Sequence, residues 1–301
     1  MGMEWTRDRI VVSDSIELAY EEIGEPDAPV ILLIMGYASQ LIVWPESFCH
    51  LLADGGYRVI RFDNRDVGLS TKLDDDRPLS ILGLRLRQQL KLPLKVAYTL
   101  DDMTADTVAL LDALNISRAH IVGASMGGMI AQLMAANYPE RVSSLVSLMS
   151  SSSFGGMKPK VLWHILNKAA PGREAQIAHS LKTWCLISSP ELGDSEQQLR
   201  ERIEVAYDRG HHPAGKARHM AAIMASGNRQ KLLYKIKSPT LVIHGDKDPM
   251  VPLKGAKDTA RRIPNARLEI IEGMGHDLPE ALLDELVSLI LGHVRDADSA
   301  A

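Results

Sequence analysis

Gly123-Ala124-Ser125-Met126-Gly127-Gly128 lies between a short apolar run, Ala119 to Val122, and a second run, Gly128 to Asn137, with helical spacing. A serine held on a sharp turn from strand into helix needs glycine at both flanking positions, where a side chain would meet neighbouring backbone. Gly123 and Gly127 satisfy that need. The stretch reads as a nucleophile elbow, with the Ser125 hydroxyl presented at a strand end. The first N–H groups of the following helix then point toward charge developing near Ser125.

Working outward, strand-like apolar runs fall at Ile10 to Val12, Ile16 to Tyr20, Val30 to Met35, Tyr57 to Phe62, His120 to Val122, Leu145 to Met149, Thr240 to His244 and Leu268 to Ile271. From the third onward they alternate with helical patterns at Ser47 to Ala53, Thr104 to Leu114, Gly128 to Asn137, Gly255 to Arg262 and Glu280 to His293. Continuous apolar strands separated by helices predict an α/β fold whose mostly parallel, eight-stranded sheet is covered on both faces. In such a sheet function gathers beyond the carboxyl ends of the strands.

The alternation stops between Met149 and Thr240, where helical patterns run about Lys160 to Lys168, Arg173 to Cys185, Ser195 to Arg209 and Gly215 to Ala225. This predicts a helical cap over residues 154–235, inserted after the sixth strand into a catalytic core of residues 1–153 and 236–301. Ser150 to Gly156 reads as its entry and Lys237-Ser238-Pro239 as its exit. Trp163, Leu166 and Trp184 are either pocket-lining residues of that cap or ordinary core residues of its helices.

The 301 residues, 46% hydrophobic and 24% charged, can bury a large core, and a net charge of −4 leaves no basic footprint for nucleic acid. The two cysteines, Cys49 and Cys185, are far apart and outside any C-x-x-C pattern, which argues against a disulfide framework or thiolate metal site. No run approaches the roughly 18 apolar residues of a membrane span. These features predict a soluble, cytoplasmic protein with no stable membrane insertion. They leave oligomeric state open.

A serine hydroxyl is a weak nucleophile until a base takes its proton, so a histidine and a group that orients it are required. His276 follows the eighth strand on the glycine-rich loop Glu272-Gly273-Met274-Gly275-His276-Asp277 and is the candidate base. His244 lies in or at the end of a strand and reads as packed. His211 and His212 sit in a loop of the insertion with no metal-ligand spacing. For the orienting acid, the seventh strand runs into Gly245-Asp246-Lys247-Asp248-Pro249, where two carboxylates compete. Asp248 is favoured because Pro249 stiffens its turn, leaving Asp246 a structural role. The chain order Ser125, Asp248, His276 is the order expected of such a sheet. An oxyanion hole would take one N–H from Met126 and a second from Tyr37, after the third strand, with Gly36 allowing close approach.

Together these residues resemble the α/β-hydrolase superfamily of serine hydrolases over nearly the whole chain. The segments Leu52 to Ser70 (LADGGYRVIRFDNRDVGLS) and Gly273 to Pro279 (GMGHDLP) are similar to bacterial carboxylesterases close to aclacinomycin methylesterase. That resemblance implies hydrolysis of a small-molecule ester through an acyl-enzyme, with no metal or organic cofactor. Met35-Gly36 stands where many members have His-Gly. The same machinery also runs lactone opening, thioester hydrolysis, carbon–carbon bond hydrolysis and perhydrolysis. The alternative of another class is a ligand receptor that keeps the residues without turnover. Leu79 to Tyr98, longer than in the methylesterases, reads as a surface excursion packed on the insertion, or else as a second lid, a dimer contact or a lipid-seeking element.

Overall fold

The computed structural model describes residues 4–74, 83, 87, 90, 94–167 and 169–300. Most of the stretch from Leu79 to Tyr98, and so the reading made of it, lies outside them.

Among the described residues, eight strands form one sheet: β1 (Thr6–Ser13), β2 (Ile16–Ile23), β3 (Val30–Ile34), β4 (Arg58–Phe62), β5 (Ala119–Ala124), β6 (Val142–Leu148), β7 (Thr240–Gly245) and β8 (Arg267–Ile271). Their spatial order is β1-β2-β4-β3-β5-β6-β7-β8. β2 pairs antiparallel with both neighbours, and every pair from β4 to β8 is parallel. The mostly parallel eight-stranded sheet expected from the sequence is what forms. Every residue of β3, β5 and β7 is buried, which is why these strands read as unbroken apolar runs. β1 extends beyond its sequence-predicted Ile10 to Val12 because it is an edge strand, with a polar and exposed first half.

Successive side chains of β3 serve opposite faces. Leu32 and Ile34 pack with Leu110 and Leu111 of α2 (Leu100–Ala113) and Ile130 and Met134 of α3 (Met126–Asn137). Ile31 and Leu33 pack with Phe48 and Leu52 of α1 (Glu46–Asp54) and with Leu286 and Ile290 of α10 (Leu283–Ser299). The helix after β3 thus goes to one face and the helix after β5 to the other. These two strands are neighbours, so their carboxyl ends open a crevice between diverging connections.

Between β6 and β7 the described residues build five helices: α4 (Pro159–Leu166), α5 (Arg173–Ile187), α6 (Glu196–Gly210), α7 (Pro213–Ser226) and the short α8 (Gln230–Leu233). α9 (Leu253–Arg262) follows β7. α5 and α6 close on each other through Ile177, Leu181, Leu199 and Ile203. In α4 the inward face carries Val161, while Trp163 is 71% and Leu166 41% exposed, so neither residue is core or pocket. A helix turns about 100° per residue, so Ile165, one position away, is the one that reaches the cavities. Of the three side chains singled out, Trp184 alone lines a cavity at Ser125. Among the described residues, no helix is long and apolar enough to cross a membrane.

Candidate active site

Ser125 sits between β5 and α3 with φ +54° and ψ −118°, a combination that costs a residue with a side chain about 1–3 kcal/mol. The turn is possible because its flanks have no Cβ. One at Gly123 would run into the Gly127 carbonyl, and one at Gly127 into the carbonyl of Ile34. The Ser125 N–H donates to the Leu148 carbonyl at 2.9 Å, and the Ser150 hydroxyl donates to the Ser125 carbonyl at 2.7 Å. The end of neighbouring β6 and the chain just beyond it thus clamp the strained residue from both sides. Ser125→Gly is expected to relieve the strain and raise unfolding free energy in urea by about 1 kcal/mol, net of glycine's larger entropy when unfolded.

His276 lies beyond β8, with Nε2 2.9 Å from Ser125 Oγ and Nδ1 2.7 Å from Asp248 Oδ2. The other carboxylate oxygen of Asp248 accepts the Met250 and Val251 N–H groups, both at 2.8 Å. One oxygen is therefore fixed by backbone and the other faces the ring. An imidazole held in this way can take a proton from the serine hydroxyl while the carboxylate keeps Nδ1 protonated. Asp246 points elsewhere, accepting the Gly273 N–H at 2.7 Å and pairing with Lys247 at 2.8 Å. His244 is fully buried and donates through Nε2 to the Val251 carbonyl at 2.9 Å, and burial lowers its pKa. It is packed beneath the Asp248 turn.

Met126 opens α3, so its N–H precedes the intrahelical ladder, and Tyr37 follows β3 across the crevice. Both residues line a small cavity at Ser125. A side chain at Gly36 would come within 3.0 Å of Ser125 Cβ, which accounts for the glycine there.

Two supports of the site escaped sequence reasoning. The first is a clasp on the His276 loop from the last residue of α5 and the chain after it. The His276 N–H donates to the Ile187 carbonyl at 2.7 Å, and the Gly275 N–H donates to Ser189 Oγ at 2.8 Å. Ser189 in turn donates its hydroxyl to Asp277 at 2.6 Å. Burial raises the Asp277 pKa, with the Ser189 bonds opposing it. Its place directly after His276 was the available signal.

The second support is His219 on α7, fully buried, which carried no spacing signal. Its Nε2 donates to the Arg65 carbonyl at 2.8 Å, leaving Nδ1 to accept the Ala38 N–H at 3.2 Å. That bond pins Ala38, at φ +53°, next to Tyr37. Burial lowers the His219 pKa from 6.5 to about 4. Below pH 6.5 the unfolded chain therefore takes up a proton that the folded protein refuses until about pH 4. Stability from this group is complete above that window and is lost as pH falls through it, by about 3 kcal/mol at most. His120, His244 and His293, also depressed by burial, add to the loss. In His219→Gln, whose amide can replace both hydrogen bonds without titrating, the free energy of unfolding in urea is expected to fall less between pH 6.5 and 4 than in the wild type.

Two cavities meet at Ser125. The larger, about 160 Å³, is bounded by Tyr37, Trp184, Ile187, Lys216 and His276. The smaller, about 40 Å³, is bounded by Met126, Met129, Phe154, Met157 and Met220. Among the described residues, no group of three or more His, Cys, Asp or Glu side chains is placed to hold a metal ion.

The family described as alpha/beta hydrolase fold matches residues 29–280. The rhodomycin D methylesterase DauP of Streptomyces sp. (strain C5) is 30% identical, covering 96% of this chain and 98% of that protein. The rhodomycin D methylesterase DnrP of Streptomyces peucetius is 28% identical over the same shares. Among solved structures, the meta-cleavage product hydrolase CumD of Pseudomonas fluorescens IP01 superposes with a TM-score of 0.75 at 21% identity. It covers 96% of this chain and 98% of its own, and carries the fold alone.

Proposed function

We propose, from the premise that the chain belongs to the alpha/beta hydrolase family, that it is a serine carboxylesterase with Ser125 as nucleophile, His276 as general base and Asp248 as the group orienting it. The observation that carries this reading is the unbroken relay from Ser125 Oγ through both His276 nitrogens to Asp248, with steps of 2.9 and 2.7 Å, at the floor of two cavities. The methylesterase names of the relatives support an ester as the substrate.

In this mechanism His276 Nε2 takes the Ser125 proton as Oγ attacks the ester carbonyl. The resulting oxyanion accepts the Tyr37 and Met126 N–H groups, each worth roughly 3 kcal/mol of transition-state stabilisation. Collapse expels the alcohol, which leaves with the proton held on His276, and an acyl-Ser125 ester remains. Water then attacks that ester, giving its proton to His276. The second collapse returns the proton to Ser125 Oγ and releases the acid. Residues 154–235 serve as a cap over the core of residues 1–153 and 236–301, and the clasp on the His276 loop ties cap to base. The unpaired thiols of Cys49 and Cys185 suit a cytoplasmic setting.

Steady-state hydrolysis of p-nitrophenyl esters from acetate to palmitate at pH 7 to 8 tests the reading. Turnover highest with short acyl chains is expected from cavities of about 160 and 40 Å³. Inertness across the whole series would remove the esterase reading.

A further inference from the structure

Lys216, on the first turn of α7, lines the larger cavity at Ser125 and also an adjoining chamber of about 170 Å³ bounded by Asp66, His179 and His211. Its ammonium has no ion pair or hydrogen bond among the described residues. Among the described residues, the carboxylates lining these two cavities are taken. Asp66 in the adjoining chamber is held by Arg218 at 2.7 and 2.8 Å and by the Tyr98 hydroxyl at 2.7 Å. Asp277 in the larger cavity is clasped by Ser189. Nearby Arg209 is already satisfied by Asp63 at 2.6 Å and Gln40 at 2.9 Å. Among the described residues, Lys216 is thus the cation these walls leave unanswered.

An ammonium half-buried without a partner is unfavourable, and an arriving anion relieves it. Burial holds the Lys216 pKa below its ordinary 10.5, and no acid offsets that pull. The neighbouring His179 and His211 are also depressed, first by burial; His164 and then Lys216 add to the effect on His179, and Lys216 to that on His211. They therefore supply polar ring atoms rather than competing charge. Trp184, shared by both cavities, gives the same space an apolar wall.

We propose that Lys216 is a specificity-determining residue, and that the preferred substrates are esters carrying a negatively charged group, a carboxylate or phenolate, which its ammonium receives beyond the scissile carbonyl. This inference rests on the serine esterase reading for the reaction and goes beyond it in naming the substrate class. The relatives' names do not carry it.

The test compares p-nitrophenyl hydrogen adipate with p-nitrophenyl hexanoate, two esters with six-carbon acyl chains that differ in the terminal carboxylate. The readout is the ratio of their kcat/KM values within each protein, which cancels differences in the amount of active enzyme. The wild type is expected to favour the adipate ester, Lys216→Met to lower the ratio at least tenfold through KM, and Lys216→Arg to keep it within about threefold. A ratio unchanged in Lys216→Met, or a wild-type preference for hexanoate, overturns the proposal. Should the wild type cleave neither ester, calorimetry with the Ser125→Ala protein separates the two claims. Binding of the adipate ester that is lost on adding Lys216→Met keeps the anion site and removes only the esterase reading. No binding removes both.

Discussion

Ser125→Ala is expected to lower kcat toward p-nitrophenyl acetate on the order of 10⁴- to 10⁶-fold, with the folded structure intact. Alanine keeps the backbone at φ +54° and ψ −118°, so the elbow and its clamp from Leu148 and Ser150 remain. The Tyr37 and Met126 N–H groups, His276 and Asp248 also stay in place. What is lost is the atom proposed to bond to the acyl group, and removing a nucleophile alone disables such a unit. The residual rate should fall well below that of the wild type yet remain above that of water. Steady-state kinetics beside a urea unfolding curve checks both halves, and a loss below tenfold would mean that Ser125 is not the nucleophile.

Asp248→Asn is expected to lower kcat by about 10⁴-fold. The direction follows from how the carboxylate is anchored. Oδ1 accepts two backbone N–H groups, from Met250 and Val251, so an asparagine would place its carbonyl oxygen there. Its amide NH₂ would then face His276 Nδ1, where Oδ2 now lies at 2.7 Å. That forces Nδ1 to accept and puts the ring proton on Nε2, facing Ser125, in the tautomer unable to take the hydroxyl proton. Asp246→Asn, two residues away, is the contrasting case. It touches the Gly273 N–H and Lys247 and should alter kcat only a few-fold. Equal losses in the two variants would contradict the assignment of the orienting acid.

The parts of this architecture that were legible in the sequence share a property: a strong local reason for the residue type. Central strands buried on both faces must be apolar throughout, and an elbow at positive φ must have small flanks, so β3, β5, β7 and the Ser125 turn announced themselves. His276 and Asp248, singled out by their positions on the β8 loop and the β7 turn, lie 2.7 Å apart. α2 begins at Leu100, four residues before its predicted start. Its Thr99 capping box with Asp102 was a local signal that the apolar spacing from Thr104 overshadowed. β1 was read short because edge strands need no apolar pattern.

The rest was hidden because it depends on contacts between distant segments. Ser189 and Asp277 are 88 residues apart, and Ala38 and His219 are 181 apart. Neither pair leaves a pattern in either local stretch. In the Asp63-Asn64-Arg65-Asp66 run, Asp63 binds the Leu41 and Leu69 N–H groups and Asp66 holds Arg218. The partner of that loop on α7 could not have been named from spacing. The Trp163 and Leu166 reading failed because apolar character says nothing about which side of α4 meets the core.

The central claim is that the Ser125 oxygen forms the covalent bond to substrate, and mass spectrometry after reaction with diethyl p-nitrophenyl phosphate tests it most directly. The account predicts one diethylphosphoryl group per chain, located on the peptide containing Ser125, appearing in step with the loss of ester hydrolysis and absent from Ser125→Ala. Inactivation with the group on another residue, or full activity in a protein modified at Ser125, would contradict it.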